Sequence, residues 1–292
     1  MGAPFASLEK SKDFLIAIDS DGCVFDTMEV KHKECFCPVT IRHYGLQAVS
    51  KFVRDSWEFV NLYSVDRGMN RFPALVRVID QLRTRPEVLR RGVTIPVLEE
   101  LRDWIHTKPK LGNPALADAA ERIPALVDAL AWSEAVNQAV TEMVHGVPPF
   151  PYVHDVLSKA TNQADMMVAS STPVDALHRE WGEHGLSEYV QVIAGQEMGS
   201  KSHQLSTLAG SQYASDHMLM IGDAFSDYRA AKSVEACFYP VLPGEEESSW
   251  ERLQHEALDR FFACEYQGSY EQGLISELRE RLPEHPPWER KA

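Results

Sequence analysis

Two kinds of segment alternate along the carboxyl half of the chain. Short, almost continuous apolar runs are typical of buried strands, and the segments between them carry apolar residues at the i, i+3 and i+4 spacing of a helix. In this half the predicted strands are residues 166–169, 190–194, 218–221 and 237–241, and the predicted helices are residues 173–184, 202–208, 227–233 and 249–264. Residues 14–18, near the amino terminus, are a predicted strand of the same kind. This alternation predicts an α/β fold with a Rossmann-like parallel sheet and helices on both faces.

Between the first predicted strand and the others, the apolar period is helical only. The segments LQAVSKFVRDSWEFVNLY, RFPALVRVIDQLR, PVLEELRDWIH and PALVDALAWSEAVNQAVTEMV follow one another, separated by prolines. The Gly- and Pro-rich HGVPPFPY, residues 145–152, is typical of a return linker. We therefore expect an α/β core of residues 1–26 and 148–292, interrupted by an all-helical insert of residues 27–147.

The charge balance disfavours polyanionic partners. The 292 residues include 29 Lys and Arg against 43 Asp and Glu, which gives a net charge of −14. Such a surface repels nucleic acid and anionic membrane, so an anionic substrate would need a cation or a few focused basic groups. The five cysteines are odd in number and scattered, and no signal-peptide core or run of about 18 apolar residues occurs. We expect a cytoplasmic protein, and the sequence leaves its oligomeric state open.

Polar groups follow several predicted strands. Asp19 and Asp21 follow the first strand, and Ser170 ends the second. Lys201 comes after the third, and Asp223 ends the fourth, with Asp227 four residues later. Because ligand-binding groups in open α/β sheets collect at the carboxyl ends of the strands, we expect these residues to share one crevice. Thr172 is expected to N-cap the helix that opens with Pro173.

In this order, DSDGCVFDT, the serine of VASSTP, Lys201 and GDAFSD resemble the four motifs of the haloacid dehalogenase superfamily of phosphotransferases. The resemblance spans about residues 13 to 239, and the insert resembles the family's helical C1 cap, which would close over the site. Neither DxD nor GDxxxD is specific by itself, whereas the ordered set on strand ends is. Dehalogenase and phosphonatase members lack an aspartate at the position of Asp21, whereas phosphatases and phosphomutases carry it.

The resemblance implies a role for each motif residue. Asp19 is the nucleophile that forms an aspartyl phosphate, and Asp21 is the general acid and base. Ser170 binds a phosphoryl oxygen, with Ser171 as the alternative register, and Lys201 holds the charge. Mg²⁺ would be bound by the Asp19 carboxylate, the Asp21 carbonyl and Asp223. Asp227 would support the metal or pair with Lys201; a helix N-terminal carboxylate is an equal alternative.

The insert offers further candidates for substrate binding. In the acidic chain, SVDRGMNRF supplies Arg67, Asn70 and Arg71, and arginine binds carboxylate or phosphate through a bidentate fork. The alternative is a solvated loop. Family phosphomutases place a histidine early in the first cap helix. Counting from Asp19, Lys31 falls at that position and His32 one residue later.

These residues together predict a Mg²⁺-dependent phosphatase acting on a small phosphorylated metabolite, such as a sugar phosphate, through an aspartyl phosphate. One alternative is a phosphomutase of the beta-phosphoglucomutase type, which returns the phosphoryl group to sugar. The other is a catalytically silent binding or regulatory protein with the same fold. Substrate identity is not predicted, because it depends on cap side chains.

Overall fold

Five parallel strands form one sheet in the residues that the computed structural model describes, which are 8–107, 111–210 and 212–289. The strands are β1 (Phe14–Ile18), β2 (Ala164–Ala169), β3 (Val192–Ala194), β4 (Met218–Gly222) and β5 (Cys237–Pro240), in the order β3-β2-β1-β4-β5. All neighbouring pairs are parallel. The predicted Rossmann-like α/β fold is confirmed. Residues 1–7, 211 and 290–292 of the predicted core, and 108–110 of the predicted insert, lie outside the described ranges.

Both faces of the sheet are buried. In β1, Ile16 and Ile18 belong to the apolar cluster on one face, whereas Leu15 and Ala17 belong to the cluster on the other. This is the period-2 alternation of a strand covered on both sides, and it explains why the strands are almost continuously apolar in sequence. The helices that cover the sheet are Val153–Ala160, Val174–Glu183, Lys201–Leu208, Phe225–Ser233, Glu246–Arg252, Leu258–Phe262 and Ser269–Arg281, with a π-helical turn at Leu253–Ala257.

The described residues divide into two compact units. The α/β unit ends its first segment at Thr27 and resumes over Gly146–Leu282, and the helical unit comprises Met28–His145 and resumes at Pro283. The predicted boundaries lie within two residues of the first two crossings. The short helix Thr27–Val30 spans the first crossing. The helical unit then contains a π-helical turn at Lys31–Phe36 and the helices Cys37–His43, Ser50–Asn61, Arg71–Thr84, Pro86–Leu89, Glu99–Thr107, Asn113–Ala120 and Leu126–Met143.

The carboxyl-terminal segment differs from the sequence expectation. From Pro283 onward it groups with the helical unit, although the sequence pattern assigned it to the α/β core. The indole of Trp288 lies over the Arg85 guanidinium, 4.3 Å from it, and meets Phe59 edge-on at 5.7 Å. The backbone amide of Val65 donates to the carbonyl of Pro283. An aromatic contact and a backbone hydrogen bond thus hold the segment, and no hydrophobic periodicity indicates it in the sequence.

Among the described residues, every helix is too short or too polar to cross a bilayer.

Asp165, in β2, is a buried carboxylate that joins three parts of the α/β unit. Its two oxygens accept five hydrogen bonds of 2.6 to 2.9 Å, from the amides of Ser11 and Lys12, the Ser11 hydroxyl, Gln191 and Tyr213. Burial opposes ionisation, but the hydrogen bonds from Ser11, Lys12 and Tyr213 outweigh it and lower the pKa of Asp165. The ionised form is therefore the one that the fold binds.

We expect Asp165→Asn to lower the free energy of unfolding by about 1–3 kcal/mol at neutral pH, because several buried donors lose an ionised acceptor. Since the pKa of Asp165 is lower in the folded state, its contribution is present above the ordinary aspartate value of about 3.9 and is lost as pH falls through the folded pKa. The variant should therefore lose less stability than the wild type between neutral and acid pH. Urea unfolding across this range tests the prediction, with exposed Asp155→Asn as the control. Equal acid sensitivity of wild type and Asp165→Asn would contradict it.

Candidate active site

The loop that follows β1 is fixed by backbone hydrogen bonds and two buried tryptophans. The carbonyl of Ser20 accepts hydrogen bonds from amides farther along the turn, and Gly22 adopts a φ of 75°, which glycine tolerates without strain. The indole of Trp181 donates to the Ser20 hydroxyl at 3.0 Å, and that of Trp250 donates to the Cys23 carbonyl at 2.8 Å. These contacts hold the loop in one geometry, which a precisely placed catalytic group needs.

Asp19, Lys201 and Asp227 form a buried charge cluster. The ammonium of Lys201 lies 2.6 Å from Oδ2 of Asp19 and 2.5 Å from Oδ1 of Asp227. Oδ1 of Asp19 accepts a hydrogen bond from the Ser20 amide, and Oδ2 of Asp227 accepts one from the Ala224 amide. Asp227 is therefore both a partner of Lys201 and a helix N-terminal carboxylate, so the two alternatives left by the sequence coexist.

Asp223 completes a triad of carboxylates at the carboxyl ends of β1 and β4. Oxygens of Asp19, Asp223 and Asp227 lie within 4.8 Å of one another, and all three residues are buried. Lys201 offsets one of the three negative charges, which leaves a formal excess of two. Hard carboxylate oxygens with that excess are the donor set that suits a divalent cation such as Mg²⁺. The residues present therefore fit the metal that the resemblance implies.

The titration behaviour of the cluster reflects its burial. Burial raises the pKa of Asp19 well above its ordinary value; Lys201 opposes this rise, and Asp227 and Asp223 add to it. Burial also raises the pKa of Asp227, against the effect of Lys201. For Lys201, the two carboxylates outweigh burial and raise the pKa, so the ammonium stays charged. The positive charge of Lys201 thus only partly offsets the effect of burial on the pKa values of Asp19 and Asp227.

Asp21 is oriented by two hydroxyl groups. Thr27 Oγ1 donates to Oδ1 of Asp21 at 2.5 Å, and Thr172 Oγ1 donates to Oδ2 at 2.7 Å. The predicted capping role of Thr172 is wrong: the N-cap of helix Val174–Glu183 is Pro173, without a side-chain cap, because the Thr172 hydroxyl is used by Asp21. Sequence reasoning missed both threonines, although Thr27 lies inside the quoted motif DSDGCVFDT.

Ser170 lies at the end of β2 and is almost fully buried, whereas Ser171 is exposed. The amide of Ser170 donates to the Ala194 carbonyl, and its hydroxyl accepts from the Thr172 amide at 3.2 Å. The buried amide of Gln204 donates to the carbonyls of Ser170 at 2.9 Å and Gly195 at 2.8 Å. Gln204, which the sequence analysis did not single out, thereby ties the loop after β2 to the loop after β3.

Gly222 leaves space that Asp227 needs. A Cβ at this position would lie 2.5 Å from Cβ and Cγ of Asp227 and 2.6 Å from its Oδ2. We expect Gly222→Ala to displace the Asp227 carboxylate from Lys201 and to reduce turnover by about 10²-fold, since small displacements of positioning groups have effects of that size. Steady-state kinetics on the substrate found by the screen proposed below tests this.

Gly273→Ala is the matched control for that substitution. Gly273 lies inside helix Ser269–Arg281, and a Cβ there would meet nothing within 4 Å. Alanine in a helix interior is expected to raise the free energy of unfolding by about 0.5–1 kcal/mol and to leave turnover unchanged. Equal turnover of Gly222→Ala and Gly273→Ala would contradict the role given to Gly222.

The candidates of the SVDRGMNRF segment have contacts inside the helical unit. Arg67 is buried, and its guanidinium donates to the Leu62 carbonyl at 2.9 Å. Asn70 caps helix Arg71–Thr84 by accepting from the Phe72 amide at 3.1 Å. The guanidinium of Arg71 donates to Ser133 and to Asn137, and it lies over the Phe36 ring. The segment is thus built into the unit, and the substrate contacts of Arg67, Asn70 and Arg71 stay a prediction.

His32 lies in the π-helical turn and is also part of the packing of the helical unit. Its Nδ1 accepts a hydrogen bond from the Trp57 indole at 3.1 Å, and its ring stacks on Phe36 with centroids 4.9 Å apart. Lys31 is half-buried. Roles of Lys31 and His32 toward substrate stay predictions.

Among known proteins, the chain is similar only to solved structures. No protein-family model matches the chain, and no curated protein matches its sequence. A protein from Haemophilus somnus, described as a predicted phosphoglycolate phosphatase, is similar at 13% identity over 79% of this chain and 86% of its own, with a TM-score of 0.48. A haloacid dehalogenase-like hydrolase from Streptococcus pneumoniae is similar at 13% identity over 86% and 97%, with a TM-score of 0.45.

CbbY from Rhodobacter sphaeroides, whose structure was solved in complex with phosphate, is similar at 15% identity over 78% of this chain and 86% of its own, with a TM-score of 0.41. The similar solved structures include several haloacid dehalogenase-like hydrolases. Because each of these TM-scores is below 0.5, the functional assignment rests on the residues of this chain.

Proposed function

We propose that the protein is a Mg²⁺-dependent phosphatase that hydrolyses a small phosphomonoester through a phosphorylated Asp19. The observation that carries this proposal is the buried cluster in which Lys201 lies 2.6 Å from Asp19 while the oxygens of Asp19, Asp223 and Asp227 lie within 4.8 Å of one another. A carboxylate in such surroundings is held in place and is partly stripped of water, as a nucleophile toward phosphorus requires.

Mg²⁺ would be held by Asp19 and Asp223, with the Asp21 carbonyl and Asp227 as further candidates. When bound, it would supply Lewis-acid stabilisation of the negative charge on a phosphoryl group. Lys201 holds the Asp19 carboxylate by a charged hydrogen bond and adds positive charge where the phosphoryl oxygens would lie. Ser170, at the neighbouring strand end, would donate a hydrogen bond from its hydroxyl to one of those oxygens.

Proton transfer is assigned to Asp21. In the first step Asp19 attacks phosphorus and Asp21 protonates the leaving alkoxide; in the second, Asp21 takes a proton from the water that attacks the aspartyl phosphate. The hydroxyls of Thr27 and Thr172 fix both carboxylate oxygens of Asp21, which favours a defined direction of proton transfer. Hydrolysis then returns Asp19 as a free carboxylate and releases inorganic phosphate.

Thr172→Val tests this orientation, because valine keeps the shape of threonine and removes only the donor to Asp21. We expect the variant to lower kcat by about tenfold with little change in KM, since the substrate is still bound while the proton donor is less well placed. Thr207→Val, at an exposed helical position, is the matched control. A rise in KM with unchanged kcat would show that Thr172 serves binding instead.

Hydrolysis is placed ahead of phosphomutase activity. His32, the histidine nearest the phosphomutase position, accepts from Trp57 and stacks on Phe36, so its ring is already used in packing. The presence of all four motif residues that the proposed reaction uses disfavours a catalytically silent binding protein; these are Asp19, Asp21, Lys201 and Asp223. The protein should be incubated with Mg²⁺ and a panel of phosphorylated metabolites, and phosphate release should be measured with Asp19→Asn as the blank.

Phosphate release that requires Asp19 supports the proposal. Interconversion of hexose phosphate isomers in the presence of a bisphosphate primer, without net phosphate release, would assign the phosphomutase activity. Equal release by wild type and blank across the panel would overturn both.

A further inference from the structure

A second cluster of metal-ligating side chains lies away from the proposed active site, at the amino end of β4. Asp216 and His217 directly precede this strand, and Cys264 follows the end of helix Leu258–Phe262. Carboxylate oxygen, imidazole nitrogen and thiol sulfur of the three residues all lie within 4.8 Å of one another. Cys264 comes 47 positions after His217 in the chain, so no short sequence motif indicates the cluster.

The distance between sulfur and nitrogen fits a shared metal ion. Sγ of Cys264 lies 3.5 Å from Nε2 of His217. A tetrahedral zinc ion at about 2.3 Å from sulfur and about 2.0–2.1 Å from nitrogen holds these two atoms about 3.5 Å apart. The Asp216 carboxylate would need to approach by up to about 1.5 Å, which a half-buried side chain can do by rotation.

The His217 ring is prepared to bind through Nε2. Its Nδ1 is 3.2 Å from the Asp13 carbonyl, and because a carbonyl only accepts, this contact favours the neutral tautomer with the proton on Nδ1 and the lone pair on Nε2. Metal-bound histidines commonly donate their other ring N–H in this way. The ring also stacks on Phe14 with centroids 4.2 Å apart, which fixes its orientation toward Cys264.

Cys264 occupies a position that otherwise favours glycine. Its φ is 58°, in the left-handed region, and its amide donates to the Phe261 carbonyl at the end of the helix. A cysteine there costs about 1 kcal/mol relative to glycine. It is also the exposed member of the five cysteines; the other four are buried.

We propose that Asp216, His217 and Cys264 form a binding site for a transition-metal ion of the zinc class, with water completing the coordination. Binding would deprotonate the Cys264 thiol and release that proton to solvent, because the thiolate is the ligand. One thiolate and one carboxylate balance the charge of a divalent ion. The metal would link the start of β4 to the turn after helix Leu258–Phe262.

Cobalt titration tests the ligand set directly. The full-length protein should be titrated with Co²⁺ in excess Mg²⁺, which occupies carboxylate sites, and the thiolate-to-cobalt charge-transfer absorption should be recorded. We expect one equivalent to bind with that absorption, Cys264→Ser to abolish it, and His217→Gln to weaken binding at least tenfold, while exposed His285→Gln changes nothing. Absence of the absorption in the wild type, or its survival in Cys264→Ser, would overturn the proposal.

Cys264→Gly separates metal binding from folding. Since glycine suits the left-handed position, the metal-free variant should unfold at the same temperature as the wild type or a higher one. Zinc at one equivalent should raise the unfolding temperature of the wild type and leave that of Cys264→Gly unchanged. An equal zinc-induced shift in both proteins would contradict the site.

Discussion

Asp19→Asn is expected to lower the rate of phosphate release by about 10⁴-fold or more, because removal of a nucleophile eliminates the covalent route. The amide keeps the size of the side chain but cannot attack phosphorus at a useful rate. Initial rates on the substrate identified by the metabolite panel, at saturating Mg²⁺, measure the effect. Asp155→Asn, an exposed aspartate of the same α/β unit, is the matched control and should keep wild-type turnover.

The same variant should not be less stable than the wild type. Burial raises the pKa of Asp19, with Asp227 and Asp223 adding to the rise, so the ionised carboxylate is unfavourable in the metal-free fold at neutral pH. An amide relieves that repulsion and leaves Lys201 paired with Asp227. We expect the free energy of unfolding without Mg²⁺ to be unchanged or about 1 kcal/mol higher, as is common when strained functional groups are removed.

Turnover within tenfold of wild type would contradict the role of Asp19.

Lys201→Met is expected to have the largest effect on stability. The ammonium is the cation shared by the buried carboxylates of Asp19 and Asp227, and removing one partner of a buried ion pair typically lowers the free energy of unfolding by about 3–5 kcal/mol. Methionine fills the space without charge. Turnover should also fall by about 10²–10³-fold, since charge stabilisation at the phosphoryl group is lost. Urea unfolding without Mg²⁺ measures the first effect.

A second substitution distinguishes charge from packing. In the Lys201→Met background, Asp227→Asn removes one unpaired carboxylate and should recover part of the lost stability. Added Mg²⁺ should do the same for the single variant, because its charge replaces that of the ammonium. Lys51→Met, at an exposed helical position, is the control. A double variant no more stable than Lys201→Met would show that the loss comes from packing alone.

The sheet was predictable because the strands are buried on both faces and therefore read as apolar runs. The strand order was not: β1 pairs with β2 and β4, which begin about 150 and 200 residues later, and only tertiary packing determines that arrangement. Helix Ser269–Arg281 was missed, since its apolar residues are diluted by charged ones. The segment from Pro283 was assigned to the wrong unit, because its position depends on the contacts of Trp288 with Phe59 and Arg85, which no sequence pattern indicates.

In the candidate site, as in the fold, local features were predictable from the sequence and tertiary contacts were not. Asp19, Ser170 and Asp223 could be placed at strand ends from sequence, because each directly follows a strand, whereas Lys201 lies several residues beyond β3. The groups that orient them come from distant parts of the chain: Thr172 reaches Asp21 across 151 positions, and Gln204 joins two loops. Local reasoning gave Thr172 a capping role, since Thr-Pro is a common helix start, and tertiary contact with Asp21 took precedence.

In the proposed reaction a phosphoryl group is carried transiently by Asp19. The most direct measurement is to mix the protein with Mg²⁺ and its radiolabelled phosphomonoester, quench in acid within one turnover, and map the label by mass spectrometry of peptides. We expect one phosphoryl group on the peptide containing Asp19, labile to hydroxylamine as an acyl phosphate is, and absent from Asp19→Asn. Label on another residue, or turnover by the wild type with no labelled intermediate under any quench time, would contradict it.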